Sequence, residues 1–193
     1  KTHTAGGWGG TAMLVKMYPD GSFELVSSLG DSGQSRPQGE LMSAAEALGL
    51  PYERGSISRG STSHPYSIML GGSTGTWNHG YATWEAAMNV RKQVLGLGAE
   101  LFTPIPTDLD LLDMDEGGVF LRSDPTKKQT FVSVFARLAS RVDANGKAAF
   151  ENRAGAFEVV AYAYRRAKEG LVIPREKGAA IWELDVDTET GEI

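Results

Sequence analysis

The sequence of 193 residues predicts an α+β (mixed α/β) fold, because two hydrophobic periodicities alternate along it. Short apolar runs bounded by glycine-containing turns are typical of strands. Longer segments with apolar residues at i, i+3, i+4 and i+7 are typical of amphipathic helices. With 41% hydrophobic and 22% charged residues, the chain has the composition of a globular protein that can bury a core.

The first part of the chain predicts the order ββαβα. An apolar strand at 11–17, a Tyr-Pro-Asp-Gly turn and a return strand at 23–28 indicate a hairpin. Pro37 in the first turn and Gly49 just after the last apolar position bound the first helix. A short strand at 54–59 and a Gly/Ser/Thr loop at 60–76 follow. The second helix is predicted from about residue 78 to residue 102.

The second part of the chain gives a less regular pattern. Segments 109–112 and 119–122 indicate a second hairpin, and apolar spacing over 131–139 indicates a third helix. Segment 157–166 has helical spacing but the Phe, Val and Tyr content of a strand, so both alternatives stay open. A final strand is expected at 179–186, followed by a turn at 188–191.

The final predicted strand bears on domain organisation. Too few residues follow it in this sequence to form a partner strand, and natural folds avoid an unsatisfied edge. We therefore expect a half-domain at 1–102 and a variable α+β segment at 103–193 whose last strand a partner chain completes. The alternative is an edge strand with a loose tail.

Composition excludes several function classes. Nineteen basic against 24 acidic residues, a net charge of −5, disfavour a nucleic-acid partner. The absence of cysteine excludes a thiol nucleophile, a cysteine zinc site and a cysteine-bound iron–sulfur cluster in these residues. No apolar run is long enough to span a membrane, and no export signal is recognised, so a cytoplasmic location is expected. The three histidines (His3, His64 and His79) lack metal-site spacing and are interpreted as loop or packing residues.

Two loops that precede helices are the candidate binding elements. In the first loop, 29–39, backbone N–H groups, the Gln34 amide and the Ser35 hydroxyl can bind an anion or a heterocycle. In the second, 70–76, small residues let the backbone approach a ligand while three hydroxyls can bind phosphate oxygens. Each loop, taken alone, is equally consistent with binding no ligand. The first would then be a plain strand-to-helix connection with a capping serine, and the second a flexible Gly/Ser/Thr loop. Because both precede helices, we expect them to converge on one ligand.

The motifs and predicted elements follow one another in the order strand–PDG–strand–DxGQ–helix–LGLP–strand–GGST–HG–helix, and the sequence closes with GAAIWELDVDTETGE. This order resembles the second molybdopterin-binding domain of the xanthine dehydrogenase and aldehyde oxidase family. The resemblance covers 1–102 and 178–193 well and the middle poorly. It implies that domain's fold and a molybdenum–molybdopterin cofactor, in plain or dinucleotide form. Residues matching the family's loops imply a cofactor-binding set of Gly33, Gln34, Ser35, Arg36, Gly71, Gly72, Ser73, Thr74 and Thr76.

Two departures from the family pattern leave the chemistry open. The chain has Gly-Gln-Ser-Arg where the family commonly has Gly-Gln-Gly, and Gly-Gly-Ser-Thr where many relatives have a Ser-Arg pair. Arg36 either contacts a phosphate or substrate carboxylate, or pairs with Glu40. A changed reaction or substrate is therefore an open alternative.

The resemblance also implies an activity and partners. Family members are oxidoreductases, typically hydroxylating an aldehyde, N-heterocycle or aromatic substrate, with iron–sulfur clusters and FAD expected here on partner subunits. The family's catalytic glutamate lies beyond the position matching Ile193, so this chain is expected to contribute no catalytic residue or metal ligand and to act only in a complex. The alternatives are a dehydroxylating reductase or hydratase with the same fold, and a non-catalytic scaffold.

Overall fold

The structure is a computed structural model that describes residues 2–4, 9–28, 30–58, 60–68, 74–139, 158–166, 175–177 and 185–191. Its strands are β1 (Thr2–Thr4), β2 (Gly10–Met17), β3 (Phe23–Val26), β4 (Gly55–Ser58), β5 (Leu112–Asp115), β6 (Gly118–Leu121), β7 (Asp124–Gln129), β8 (Val159–Arg166) and β9 (Arg175–Lys177). Its helices are α1 (Arg36–Leu48), α2 (Thr74–Ala99) and α3 (Phe131–Ala139). The predicted α+β class is confirmed.

The main sheet has the strand order β4-β3-β2-β8. Strand β2 runs antiparallel to both β3 and β8, whereas β3 and β4 are parallel and are connected through α1. The predicted hairpin joins β2 to β3: Tyr18 N donates to Ser22 O at 2.9 Å, and Gly21 has a φ of +81°. Glycine adopts this left-handed conformation without the steric cost of a Cβ.

Helix α1 has the predicted ends. Pro37 lies in its first turn, where its missing N–H costs nothing, and Gly49 ends it in the left-handed conformation with its N–H donating to Ala45 O. Leu41 and Leu48 lie on the buried face of the helix and pack into the main core. This helix therefore holds the loop before it at a fixed position beside the sheet.

Helix α2 packs against α1 and across β2 and β8. It begins at Thr74, earlier than the predicted residue 78, so Thr74 and Thr76 belong to its first turn and not to a loop. Buried Ala82 and Ala86 give α2 a shallow surface that suits close packing on the sheet. The start of α2 is thereby positioned beside the start of α1.

Strand β8 resolves the ambiguous segment 157–166. Its Ala161 and Ala163 are buried while Tyr162 and Tyr164 are exposed, which is the alternation of a strand with one covered face. The strand pairs with β2 along the full length of β2. The second part of the chain thus contributes to the first sheet, and the division at residue 102 stays a prediction about domains.

The three-stranded sheet β5-β6-β7 contains the predicted second hairpin. The segment before β5 forms a short 3-10 turn, so the strand begins at Leu112, later than expected. Strand β7 was not predicted because its sequence, DPTKKQ, has no apolar alternation. Asp113 pairs with Arg91 and Arg122, and Asp115 pairs with Lys128, so these two acidic residues form structural ion pairs.

The strand predicted at 179–186 lies largely outside the described residues, and Asp185 and Val186, which are described, are not in a strand. The turn after it is confirmed by the hydrogen bond from Gly191 N to Asp187 O at 2.7 Å. Completion of this strand by a partner chain stays a prediction. None of the helices in the described part of the chain has both the length and the apolarity that crossing a membrane requires.

Candidate functional site

The starts of α1 and α2 converge on a cavity of about 200 Å³. Its walls are formed by Gln34, Ser35, Arg36, Gly39, Glu40 and Ser43 from the first loop and α1, and by Thr76 and Gly80 from α2. The structure therefore brings four of the predicted site residues together. Gly33 lies in the same loop, the side chain of Thr74 is not described, and Gly71, Gly72 and Ser73 lie outside the described residues.

The loop before α1 is shaped by Asp31. Its Oδ1 accepts hydrogen bonds from Gly33 N at 3.0 Å and Gln34 N at 3.1 Å, and Gly33 has a φ of +94°. An Asp that bonds the backbone two and three residues on forms a compact local turn. Two of the backbone N–H groups expected to bind a ligand are thus engaged inside the loop, which corrects that part of the sequence interpretation.

The side chain of Gln34 is oriented by its neighbour. Ser32 Oγ donates to Gln34 Oε1 at 3.1 Å, which leaves the amide nitrogen as the group able to donate to a ligand. Gln34 is exposed and lines the cavity. Its position agrees with the predicted role in cofactor binding, which stays a prediction.

Ser35 is the residue before α1 and has a left-handed backbone, with φ 53° and ψ 36°. Its side chain makes no capping hydrogen bond, so the alternative of a capping serine is wrong. A residue with a Cβ is strained in this conformation, whereas glycine is not. The backbone explains why the family pattern has glycine at the matching position.

Arg36 lies across the first turn of α2. A Cβ at Gly75 would lie 2.5 Å from Arg36 Cζ and 2.6 Å from Nη1, so the guanidinium packs directly on the glycine backbone. Nη1 is buried and has no hydrogen-bond partner among the described residues. Arg36 and Glu40 form no ion pair within the described ranges, so the pairing alternative is not observed.

Glu40 and His79 form a buried polar pair that sequence reasoning missed. Glu40 is 4% exposed and His79 is 1% exposed, and His79 Nδ1 lies 3.2 Å from Glu40 Oε1. The two atoms are within ion-pair distance, but their angles do not make a hydrogen bond. The signal available in the sequence was a carboxylate on the buried stripe of α1, at i−4 from Ala44 and i−8 from Leu48.

Ser67 extends this pair, since its Oγ lies 3.0 Å from His79 Nε2. The order Ser67–His79–Glu40 is that of a serine–histidine–carboxylate triad. However, Ser67 Oγ donates its hydrogen to Ile68 O at 3.0 Å, and the cavity is lined by Glu40 and not by Ser67. The arrangement therefore holds the His79 ring in place beside Glu40.

The buried groups without partners distinguish this cavity from larger ones. Cavities of about 490 and 650 Å³ lie elsewhere on the described part of the chain. Neither is lined by a residue that carries a buried side-chain polar atom without a hydrogen bond among the described residues, whereas the small cavity is lined by Arg36 and Glu40, which both carry such atoms. Burying an unpaired polar group costs on the order of 1–3 kcal/mol even when the group is neutral, and more when it is charged.

The site also has open space beside two glycines. Gly39 on α1 and Gly80 on α2 line the cavity, and a Cβ at either position would have no heavy atom within 4 Å. The polar lining residues and the open space at the glycines together fit a polar ligand such as the cofactor implied by the sequence. No group of three or more His, Asp and Glu side chains arranged to hold a metal ion is found among the described residues.

Solved structures share this fold. Quinoline 2-oxidoreductase from Pseudomonas putida 86 matches 81% of this chain and 19% of its own, with a TM-score of 0.61 and 25% identity. A Cu,Mo-CO dehydrogenase matches 86% and 21%, with a TM-score of 0.65 and 19% identity. A CO dehydrogenase from Oligotropha carboxidovorans matches 84% and 20%, with a TM-score of 0.62 and 20% identity. The chain thus spans about a fifth of the length of these proteins.

No match was found among curated protein sequences. The family model of the molybdopterin cofactor-binding domain matches residues 2–193, which is nearly the whole sequence. This match includes the middle segment that the sequence resemblance covered poorly, so the similarity extends through both parts of the chain. The chain belongs to the molybdopterin cofactor-binding domain family of the molybdenum hydroxylases.

Proposed function

We propose that this chain binds molybdopterin as part of a multi-subunit molybdenum hydroxylase-type oxidoreductase that acts on an aldehyde, an N-heterocycle or an aromatic compound. The observation that carries the proposal is the cavity between the starts of α1 and α2, which is lined by Arg36 and Glu40, two residues that carry buried polar atoms without partners in the described structure. The family match supports the same ligand.

The chain's own residues bind and orient the cofactor in this proposal. Gln34 and Arg36 donate hydrogen bonds from one wall, and Thr76 contributes a hydroxyl from the other. Gly33 and Ser35 set the path of the first loop. The second loop adds Gly71, Gly72 and Ser73 as phosphate-binding residues, together with Thr74 at the start of α2. When bound, the molybdenum cofactor supplies two-electron oxidation of the substrate, while the protein positions it and tunes its charge.

The rest of the machinery is expected on partner subunits. We expect a further molybdopterin-binding portion with the catalytic glutamate, an iron–sulfur subunit and a flavin subunit carrying FAD. The solved proteins of this fold, about four times as long as this chain, support a larger assembly. The lack of cysteine in these 193 residues supports the location of the clusters elsewhere.

The second candidate function is different chemistry on the same cofactor, in a dehydroxylating reductase or a hydratase. It is favoured by Arg36, which stands where the family pattern has a small or polar residue and whose Nη1 is buried without a partner in the described ranges. A cation there would bind a substrate carboxylate as readily as a cofactor oxygen. A non-catalytic scaffold is disfavoured, because buried polar atoms without a ligand would destabilise it.

The test is metal and pterin analysis of the natively purified complex. We expect about one molybdenum per chain, and a clear loss of it in Gln34→Ala but not in the control Gln38→Ala, an exposed residue of α1 outside the cavity. A wild-type complex without molybdenum or pterin would overturn the proposed function. Reduction of an artificial electron acceptor by candidate substrates then separates oxidation from hydration.

A further inference from the structure

A cavity of about 490 Å³ lies where the end of α1 meets the turn between β5 and β6. This α1-end cavity shares no lining residue with the cavity between the starts of α1 and α2. Four of its lining residues have large apolar side chains: Met42, Leu50, Pro51 and Tyr52. Met42 is 62% exposed and Tyr52 is 37% exposed. Since Met and Tyr are enriched in protein interfaces relative to the rest of the surface, the cavity has the apolar composition of a docking surface.

All of the charged residues that line the α1-end cavity are acidic: Glu46, Asp115 and Glu116. Asp115 is paired with Lys128, whose Nζ lies 2.6 Å from Asp115 Oδ2. Glu46 and Glu116 are exposed, and neither forms an ion pair with a described residue. The two glutamates therefore give the cavity a negative charge that is not paired within the described part of the chain.

The end of α1 adds to this negative charge. Glu46 lies in the last turn of α1, and that turn contains no basic residue. A helix C-terminus carries a partial negative charge, so a carboxylate there is unfavourable and a cation is favourable. Arg91 Nη1 donates to Leu48 O, but the same guanidinium is paired with Asp113 and adds no net charge. Residues that break a local rule for stability are expected at functional sites, and Glu46 is such a residue.

The mixed lining favours a polypeptide over a small cation. A metal or ammonium ion would pair with the glutamates but would leave Met42 and Tyr52 in water. A segment with a Lys or Arg beside an apolar side chain provides partners for both kinds of lining residue. Solved proteins with this fold contain it within chains about four times as long, which supports coverage of its surface by other polypeptide.

We propose that the α1-end cavity docks a basic segment of another subunit of the assembly to which this chain belongs. An apolar side chain of that segment packs on Met42 and Tyr52, while its Lys or Arg side chains pair with Glu46 and Glu116. The inference rests on the proposed function only for the existence of that subunit. Because the two cavities share no lining residue, docking and cofactor content are measured separately.

The first experiment maps the occupant by photo-crosslinking in the natively purified complex. Met42 is replaced by photoreactive benzoylphenylalanine, and the crosslinked peptide is identified by mass spectrometry. We expect one peptide of another subunit, with Lys or Arg beside an apolar residue. The same replacement at Val132, an exposed residue of α3 outside the cavity, should not capture that peptide. Capture of a second copy of this chain, capture of a peptide without basic residues, or no crosslink would overturn the inference.

The second experiment reverses the charge of the cavity with the double variant Glu46→Lys/Glu116→Lys. We expect the fraction of the crosslinked subunit that stays with this chain after dilution to fall about tenfold, because like charges then face each other. The midpoint of denaturant unfolding should stay the same or rise, since a cation is favourable at the end of α1. Asp110→Lys/Glu189→Lys changes the charge equally at exposed acids outside the cavity and should retain the subunit like wild type.

A charge exchange completes the test. Replacing the basic residues of the crosslinked peptide with glutamate should restore association with the Glu46→Lys/Glu116→Lys variant. Equal retention of the subunit by the two double variants would overturn the inference. A wild-type complex that contains molybdenum and pterin but gives no crosslink at position 42 overturns the inference and preserves the proposed function. A complex that gives the crosslink but contains neither molybdenum nor pterin supports the docking surface and overturns the proposed function.

Discussion

The guanidinium of Arg36 lies directly on the backbone of Gly75, so close that a Cβ at position 75 would lie 2.5 Å from Arg36 Cζ. This contact joins the start of α1 to the first turn of α2. It also leaves Arg36 Nη1 buried at the cavity without a partner in the described residues. Glycine at position 75 is thus a condition for the position of the arginine.

Replacing Gly75 with alanine should displace Arg36 and lower cofactor retention. The side chain can move, so the cost to folding is small, and alanine offsets it by a helix propensity gain of up to ~1 kcal/mol. We expect Gly75→Ala and Arg36→Ala to lose similar amounts of molybdenum per chain, and the double variant to lose no more than either. Additive losses would show that the two residues act separately.

Methyl groups added inside the cavity between the starts of α1 and α2 should raise the stability of the protein but weaken cofactor binding. Gly39→Ala and Gly80→Ala each replace a helical glycine that has open space around its Cβ position, so each should raise the free energy of unfolding by about 0.5–1 kcal/mol. Each methyl group should also lower the pterin content, because it occupies the cavity. Gly96→Ala, at an equally open position on α2 outside the cavity, should give the stability gain without the loss of pterin. Equal pterin content in all three variants would exclude this cavity as the binding site.

Replacing Ser35 with glycine should stabilise the protein. The left-handed backbone at Ser35 costs a residue with a Cβ roughly 1–2 kcal/mol, and the side chain forms no capping bond that would be lost. After the entropy cost of glycine, we expect a gain of about 1 kcal/mol in denaturant unfolding. Ser43→Gly, the same change within the regular part of α1, should lower stability by about 0.5 kcal/mol. A loss in both variants would contradict the strain at Ser35.

The ion pairs of Asp113 should make the stability of the folded protein fall at low pH. Burial by itself would raise the pKa of Asp113, but the hydrogen bond from the Met114 amide and the guanidiniums of Arg91 and Arg122 outweigh it and hold the pKa below its usual range. Since the unfolded-state pKa is about 3.9, the stabilisation is fully present above that pH. It is lost as the pH falls through the folded-state pKa.

Asp113→Asn should therefore destabilise the protein at pH 7 by about 1–3 kcal/mol, the range for hydrogen bonds to charged groups. The difference from wild type should shrink as the pH falls below about 4, and thermal unfolding across that range measures it. Glu116→Gln, an exposed acid in the turn of the same hairpin, should show no measurable change at either pH. A deficit of Asp113→Asn that is constant with pH would reject the electrostatic explanation.

Local signals in the sequence accounted for most of the elements around the site. Pro37 and Gly49 set the ends of α1 because their backbone preferences act within one or two residues. The start of α2 was placed too late because a Gly/Ser/Thr sequence carries no helical periodicity. Strand β8 stayed ambiguous because Ala161 and Ala163 fit either a helix or a strand until α2 covers one face of the sheet.

The amino-acid sequence alone determined the composition, the alternation of strands and helices, and the Gly-Gln and Gly-Ser-Thr segments. The alternation and the segments depend only on residues a few positions apart in the chain. They determined the fold class, the family and the two loops that matter. Only the packing of α1 against α2 decided that Arg36 would lie on Gly75 and that Glu40 would meet His79 beside the cavity. Those pairs lie on different helices, and their contact depends on how the whole core brings the two helices together.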